Sequence, residues 1–446
     1  MPELADPPER PTRVLVVGGG AAGVVTAAAL LRDAAGSPVD VAVVERGERV
    51  GPGLAYGTED PLHLLNNYAG RMSALEDSPD DLLRWCADQG VAATSDSFLP
   101  RRTYGRYLAT LLERVPVPRG SRLSRLHGEV VDLEDTGVGY RATLATGAVL
   151  ATDVVVLALG NPPPRPLSGL PGLDVSRCGA VVENPWEAGL VDRVPDDGRV
   201  LLVGTGLTMV DVAARIGQSR PLARITAISR HGMLPERHLA VNRGPVPPFA
   251  DADADLGTVV AAVRRSAERG EDWRGVVESL KCVANDLWAG FAPEDRERFV
   301  RHVGRRWEVV RHRMAPAMAR LVDDLVDSRR LEVTTSEAHV DAGGYDLVVN
   351  CTGPAPACTP GWNPLVDRLA VTGMLWPGPF GLGIDVDPLG AVVDGHGMRS
   401  RAIYVVGAAR RGSEWEVAAV PDLRRQATAI AQHVTAVVPE LDGVAG

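Results

Sequence analysis

The segment from Arg13 to Leu31 constrains the fold of this chain more than any other. An apolar run leads into the glycines Gly18, Gly20 and Gly23, and an alanine-rich stretch follows directly. This order predicts a buried strand, a tight G-x-G-x-x-G turn and a helix. Gly18 permits the turn, Gly20 lets a pyrophosphate approach the backbone, and Gly23 lets the helix pack on the strand. The segment therefore predicts a dinucleotide site, and its internal glycines argue against a membrane span.

An acidic residue ends the next apolar run. Val39 to Val44 predicts a second strand, and Glu45 follows it. A carboxylate about 20 residues beyond the glycines suits a ribose diol and repels a 2′-phosphate. The first site is therefore predicted to bind FAD or NAD rather than NADP, with Glu45 on the ribose.

A second strand, turn and helix follow at residues 199–216, with Met209 in place of the third glycine. The next strand, from Arg224 to Ser229, runs into two basic residues instead of an acid. A cation there fits the 2′-phosphate of NADPH, although an arginine that merely extends from a strand end into solvent is the alternative interpretation. The residues predicted to bind NADPH are Gly204, Gly206, Thr208, Arg230 and His231.

The two sites together predict an α/β fold with two Rossmann-like dinucleotide-binding domains, one for FAD and one for NADPH, and a helical insertion. Apolar strands that end at Gly160 and Gly353 resemble segments where a chain crosses between such domains. Hydrophobic spacing of three and four residues indicates the helices of the insertion. The predicted boundaries are 13–165 for the first part of the FAD domain, 190–355 for the NADPH domain with its insertion at 251–330, and 363–438 for the second part of the FAD domain.

Composition limits the possible partners. The net charge of −10 over 446 residues gives no electrostatic footprint for nucleic acid or an anionic membrane. The polar, proline-rich start of the chain, up to Thr12, lacks the apolar region of a signal peptide. We therefore expect a disordered lead-in to a soluble cytoplasmic protein, and the sequence leaves the oligomeric state open.

The cysteines and histidines argue against two kinds of chemistry. None of the five cysteines forms a C-x-x-C pair, which disfavours a dithiol relay. No histidine falls into a ligand spacing with cysteines or acids, so the sequence predicts no metal site.

Further segments extend the pattern over nearly the whole chain. Together they resemble a bacterial family of FAD/NAD(P)-binding proteins related to the flavin-dependent N-hydroxylating monooxygenases, a group that includes nitrosuccinate-forming aspartate N-monooxygenases. The segments that carry the resemblance are residues 53–58, 64–73, 101–108, 206–211, 311–314 and 415–421.

The resemblance implies positions for FAD. Residues 66–73 would lie along the flavin ring and ribityl chain, an R-x-x-Y-like segment would support the flavin, and the loop after residue 407 would reach the substrate side. The FAD-binding residues implied in this way are Asn66, Arg71, Met72, Ser73, Arg102, Tyr104 and Gly407.

The resemblance also implies a reaction. Baeyer–Villiger monooxygenases carry F-x-G-x-x-x-H-x-x-x-W, whereas residues 181–186 keep only Trp186 and a nearby Gly179, which favours N-hydroxylation over ketone oxygenation. NADPH would reduce FAD, O₂ would add at the flavin C4a, and the hydroperoxide would pass its distal oxygen to a nucleophilic substrate atom. The protein would supply no covalent nucleophile.

The substrate expected from the resemblance is a small amino acid or amine, with L-aspartate on the way to nitrosuccinate as the best candidate. Arginines suit the carboxylates of such a substrate because they bind them through paired hydrogen bonds. An NADPH-dependent reductase or oxidase, or a non-enzymatic flavin-binding sensor, would share the same nucleotide motifs. The predicted substrate contacts are Arg410, Arg411, Asn67 and Trp415, with Arg274, Arg311 and Arg313 as weaker candidates.

Overall fold

The computed structural model describes residues 10–34, 36–246, 253–335 and 340–437. The predicted disordered lead-in lies outside these residues except for its last three, and Thr12 already begins the first strand. None of the helices in the described ranges is long and apolar enough to span a membrane.

The first domain is built on a six-stranded sheet with the order β15-β16-β7-β1-β2-β3. All neighbours pair in parallel except the edge strand β15. The valine-rich central strands are buried, as a parallel sheet that is covered on both faces requires. These strands are β1 (Thr12–Val17), β2 (Val39–Glu45), β3 (Arg122–His127), β7 (Val154–Leu157), β15 (Ala391–Val393) and β16 (Arg399–Val405).

Six α-helices and a three-stranded antiparallel meander complete the described part of this domain. Residues from both ends of the chain share one hydrophobic core, in which Val16 and Leu30 pack with Leu369 and Ile430. The added elements are α1 (Ala21–Asp33), α2 (Gly53–Tyr56), α3 (Asp81–Asp88), α4 (Arg101–Arg114), β4 (Val130–Asp135), β5 (Tyr140–Leu144), β6 (Val149–Thr152) and α11 (Pro364–Val371), together with α12 (Val420–Val437), which packs on α1.

The second domain has a five-stranded parallel sheet with the order β12-β11-β10-β14-β9. Strand β9 lies upstream of residue 190, so this domain begins earlier than the sequence predicted. A small parallel pair, β8 (Leu173–Asp174) with β13 (Val340–Asp341), lies beside it. The strands of the main sheet are β9 (Ala180–Val182), β10 (Arg199–Val203), β11 (Arg224–Ser229), β12 (Leu331–Thr335) and β14 (Leu347–Asn350).

Among the described residues, two α-helices pack in the core of the second domain and four more form the insertion. Helices α5 (Leu207–Ser219) and α10 (Pro316–Asp327) bury Met209, Met318 and Val322 together, so α10 belongs to the domain and the insertion is shorter than 251–330. A π-helical turn at Phe299–Val303 interrupts the insertion. Its α-helices are α6 (Leu256–Glu268), α7 (Trp273–Gly290), α8 (Pro293–Arg298) and α9 (Gly304–Arg311).

Two ion pairs join helix α5 of the second domain to the first domain. Arg101, in the first turn of α4, lies 2.7 Å from Asp211 on α5, and Arg215 lies 3.2 Å from Asp60. Burial raises the pKa of Asp211 to about 6, although Arg101 acts in the opposite direction. The pair therefore fixes the helix of the second nucleotide turn against the first domain.

Candidate cofactor and substrate sites

The first glycine turn has one face that protein atoms do not fill. Gly18 has φ of +103°, and a Cβ there would lie 2.4 Å from the Ala158 carbonyl oxygen. A Cβ on Gly23 would lie 1.8 Å from the Gly18 oxygen, whereas one on Gly20 would meet only the Gly53 Cα, at 3.5 Å. Protein packing thus requires the first and third glycines but not the second. Space beside Gly20, at the uncapped start of α1, fits the approach of a pyrophosphate.

The second glycine turn repeats this arrangement. Gly204 has φ of +113°, and a Cβ there would lie 2.2 Å from the Cys351 carbonyl oxygen. A Cβ on Gly206 would have no neighbour within 4 Å, and Thr208 stands half-buried in the first turn of α5. In both sites, the segment that crosses between the domains, at Ala158 or Cys351, packs against the first glycine of the turn. The second glycine of each turn faces open space that a phosphate would fill.

The two sites differ at the end of the next strand. In the first, Glu45 accepts hydrogen bonds from the Gly19 and Gly47 amides at 2.6 and 2.7 Å, so its carboxylate is held at the turn. Strand registers that align Val17 with Val44 and Val203 with Ile228 make Ser229 the counterpart of Glu45. The second site therefore has a hydroxyl where the first has a carboxylate, and the exposed Arg230 and His231 follow it.

Arg305 is a residue of the second site that the sequence did not reveal. It lies on α9 of the insertion, and its Nη2 donates to the Thr205 Oγ1 at 3.3 Å and the Met233 carbonyl at 3.1 Å. Burial lowers its pKa, Glu308 acts in the opposite direction, and the nearby charge of Arg230 lowers the pKa further. Nothing in the local sequence indicates this contact, because 100 residues separate Arg305 from Thr205.

The segment predicted to follow the flavin lies where the two domains meet. The Asn66 carbonyl oxygen lies 3.0 Å from the His238 Nε2 of the second domain, and the Asn67 side chain accepts the Tyr68 amide. Met72 is buried. Ser73 does not fit its predicted role, because its fully buried hydroxyl donates to the Ser78 carbonyl at 2.6 Å.

Arg102 and Tyr104 point to different environments. Arg102 is exposed and lines a surface cleft with Arg49 and Arg106. Tyr104 is fully buried with its ring against Tyr56, and burial holds the pKa of its hydroxyl well above the usual value. The joint support of the flavin by these two side chains stays a prediction.

Most of the side chains in the C-terminal loop that were predicted to contact the substrate bind other groups of the protein instead. Arg410 is buried, donates to the Pro388 carbonyl at 2.9 Å and pairs with Glu414 at 2.5 Å. Its predicted role as a carboxylate ligand is wrong because protein groups already hold the guanidinium out of reach.

Arg411 and Trp415 join the same loop to the insertion. Arg411 pairs with Glu308 of α9 at 2.5 Å and lies 4.0 Å above the Trp415 ring. That ring is buried against Trp288 and Phe299, each at 4.9 Å. Gly407, with φ of +84°, donates its amide to Gln426 at the start of the loop. Trp415 is thus a packing residue in this conformation, and Arg411 is committed to Glu308.

A charged cluster forms where α7 meets the predicted flavin segment. Glu278 of α7 pairs with Arg71, with Arg313 and, at 2.9 Å, with Lys281. Burial alone would raise the pKa of Glu278, but Lys281 and Arg71 outweigh it and hold that pKa at about 2. We call these four residues the Glu278 cluster.

Lys281 has a signal in the sequence that motif reasoning missed. It is the only lysine among the 47 Lys and Arg residues of the chain. Burial, followed by repulsion from Arg311, lowers its pKa to about 8, whereas Glu278 acts in the opposite direction. Arg311 itself is buried and pairs with Glu416 at 2.8 Å. Arg274 stacks on Trp273 at 4.3 Å, outside the cluster.

A comparison with family models agrees with the first nucleotide site. Residues 15–162 match a family model described as FAD-NAD(P)-binding. No curated protein sequence matches this chain. The match identifies the first domain as an FAD/NAD(P)-binding domain and confirms the predicted class of cofactor.

Three solved structures share the fold over nearly their whole lengths. The ornithine N-hydroxylase of Kutzneria sp. 744 is 16% identical, with a TM-score of 0.60 and coverage of 95% of this chain and 99% of that chain. The L-lysine 6-monooxygenase from Pseudomonas syringae is also 16% identical, with a TM-score of 0.59 and coverage of 95% and 99%. A bacillithiol disulfide reductase from Bacillus cereus is 15% identical, with a TM-score of 0.55 and coverage of 96% and 99%.

These likenesses confirm the predicted fold class. The chain has the two-dinucleotide flavoprotein fold that amino acid N-hydroxylases share with a disulfide reductase.

Proposed function

We propose that this protein is an FAD- and NADPH-dependent monooxygenase that N-hydroxylates a small amino acid. The fold of ornithine and lysine hydroxylases supports the reaction class. The acid at the first nucleotide turn and the cations at the second support FAD and NADPH as the two cofactors. Bound FAD, reduced by NADPH, would supply the activation of O₂.

The Glu278 cluster is the observation that carries our proposal for the substrate. Three cations converge on the single carboxylate of Glu278, so these four residues together carry two more positive than negative charges. Partly buried excess charge of this kind favours an anionic ligand. L-Aspartate, with two carboxylates, fits this requirement better than ornithine or lysine, whose side chains add a cation. The carboxylate ligands would be Arg71, Lys281 and Arg313 rather than Arg410 and Arg411.

The same charges would prepare the substrate nitrogen for reaction. An ammonium group has no lone pair, so the amine must lose a proton before an oxygen atom can be transferred to it. Cations around the site disfavour the ammonium form and lower its pKa. Arg71 and Lys281 would thus hold the carboxylates and also promote the neutral amine. Asn67, half-buried beside Tyr68, would contribute a side-chain amide on the flavin side.

The experiment compares L-aspartate with ornithine, lysine and asparagine. NADPH and O₂ consumption are followed together with mass spectrometry of the product. We expect aspartate to accelerate NADPH oxidation and to gain oxygen. Lys281→Met should raise the KM for aspartate roughly tenfold to a hundredfold, because a hydrogen bond between charged groups is lost from a partly buried site. Arg265→Ala, on the exposed face of α6, serves as the control and should change little.

A direct binding measurement exploits the single lysine. Protein labelled with [ε-¹³C]lysine gives one side-chain NMR signal, which reports on Lys281. Aspartate should shift this signal and raise the pKa of the Lys281 side chain, because a bound anion stabilises the charged form of that side chain. If ornithine or lysine is oxygenated and aspartate leaves the signal unchanged, the proposed dicarboxylate substrate is wrong and the reaction class survives.

A reductase that does not oxygenate a substrate is the second candidate. The fold shared with a bacillithiol disulfide reductase favours it. NADPH oxidation that no amine stimulates, with all O₂ recovered as hydrogen peroxide, would identify this activity.

A further inference from the structure

The helical insertion contributes a cation to the second nucleotide turn. Helix α9 directs the half-buried Arg305 onto this turn, where its Nη2 bonds Thr205 and the Met233 carbonyl. Thr205 Oγ1 also lies 2.8 Å from the Ser229 hydroxyl. Arg305 is therefore linked through Thr205 to Ser229, the residue of the second site that corresponds to Glu45 of the first.

Arg305 retains unused donor groups in this position. A guanidinium has five N–H donors, and both bonds of Arg305 come from Nη2. Within the described ranges, its Nε and Nη1 make no hydrogen bond. A planar fork with free donors is the geometry that binds phosphate.

The surrounding charges also favour an anion. Arg230 lies close enough for its positive charge to lower the pKa of Arg305 after burial has done so. Glu308 of α9 acts on the pKa of Arg305 in the opposite direction, but its carboxylate is already paired with Arg411 at 2.5 Å and His312 at 3.0 Å. The guanidinium groups of Arg305 and Arg230 thus lie near each other, and within the described residues neither forms an ion pair with an acid. A ligand with two negative charges at this point would relieve their repulsion.

We propose that Arg305 binds the 2′-phosphate of NADP(H), together with Arg230, and that the insertion thereby helps to select NADP(H) over NAD(H). This inference rests on the NADPH preference proposed above. The 2′-phosphate is the group that distinguishes the two nucleotides, and Ser229 leaves room for it where Glu45 would repel it. Arg305 is a specificity residue in this scheme and takes no part in hydride or oxygen transfer.

The test measures the binding of NADP⁺ and NAD⁺ to the FAD-loaded protein by isothermal titration calorimetry. Arg305→Ala should weaken NADP⁺ binding roughly tenfold to a hundredfold, because a charge-assisted hydrogen bond to phosphate is lost. NAD⁺ binding should change less than about twofold, since NAD⁺ lacks the phosphate. Arg305→Lys keeps the charge without the fork and should fall between these limits.

The control is Arg306→Ala, which removes the exposed neighbouring arginine and should leave both affinities unchanged. FAD absorbance and the melting temperature show whether each variant is folded. An equal loss of NADP⁺ and NAD⁺ binding in Arg305→Ala would assign the residue to the attachment of the insertion and overturn the proposal, as would unchanged NADP⁺ binding. If the unmutated protein binds NAD⁺ as tightly as NADP⁺, the cofactor preference itself fails along with the role of Arg305.

Discussion

The two nucleotide sites of this protein share a backbone and differ in charge. Each has a first glycine that packs against a crossing segment and a second glycine that faces open space. At the end of the next strand, the first site holds the carboxylate of Glu45, whereas the second has Ser229 with two arginines nearby. One local fold can therefore serve two dinucleotides, because the backbone recognises the shared pyrophosphate and a few side chains read the ribose.

The sites also differ in what surrounds them. The helix of the first turn, α1, packs within its own domain against α12. The helix of the second turn, α5, is joined to the first domain by Asp211 and Arg215, and its turn contacts the insertion through Arg305. The first site is thus built largely within one domain, and the second site depends on contacts from elsewhere in the chain. This contrast agrees with a tightly held FAD and an exchanging NADPH.

The largest effect is expected from substitutions of the second glycine in each turn, because each should remove one cofactor and leave the other bound. Gly20→Val should abolish FAD binding, because its side chain fills the space that the pyrophosphate needs and meets little protein. Gly206→Val should abolish NADP⁺ binding and leave FAD in place. Flavin absorbance after gel filtration and calorimetry with NADP⁺ measure the two results. A Gly20→Val protein with full flavin content would mean that the FAD site lies elsewhere.

A smaller effect is expected for the choice between NADPH and NADH. Arg230→Ala should lower kcat/KM for NADPH by roughly tenfold to a hundredfold, equivalent to about 1–3 kcal/mol for a lost phosphate contact. NADH use and FAD content should not change. Arg224→Ala, at the far end of the same strand, is the matched control. If the unmutated protein uses NADPH and NADH equally well, the charge difference between the two sites does not select the nucleotide.

The smallest effect is expected for the acid of the first site. Glu45→Gln should weaken FAD binding by about threefold to tenfold, since an amide keeps one acceptor for the Gly19 amide but loses the charged bond to the ribose. The dissociation constant comes from flavin fluorescence on titration of the apoprotein. Glu48→Gln, an exposed acid three positions further on, should have no effect. Should Glu45→Gln bind FAD as tightly as the unmutated protein, the carboxylate acts only within the protein.

The sequence determined those features that depend on local order along the chain. Glycines at 18, 20 and 23 and an apolar run on each side are sufficient to specify a strand, a turn and a helix, because each glycine acts through its immediate backbone. The second site repeated this pattern closely enough for both Rossmann-like domains to be predicted. The presence of Arg230 and His231 after the next strand, in place of an acid, was also readable, whereas the strand register of the structure identified Ser229 as the counterpart of Glu45.

Tertiary structure alone decided which charged side chains remain available to ligands. Arg410 looked free in the sequence, yet packing buries it against Glu414 and Pro388. Arg305 and Lys281 carried no motif, and folding brings them to a nucleotide turn and to the Glu278 cluster. The physical reason is that the partner of a long charged side chain depends on burial and on residues distant in sequence, which local patterns do not encode.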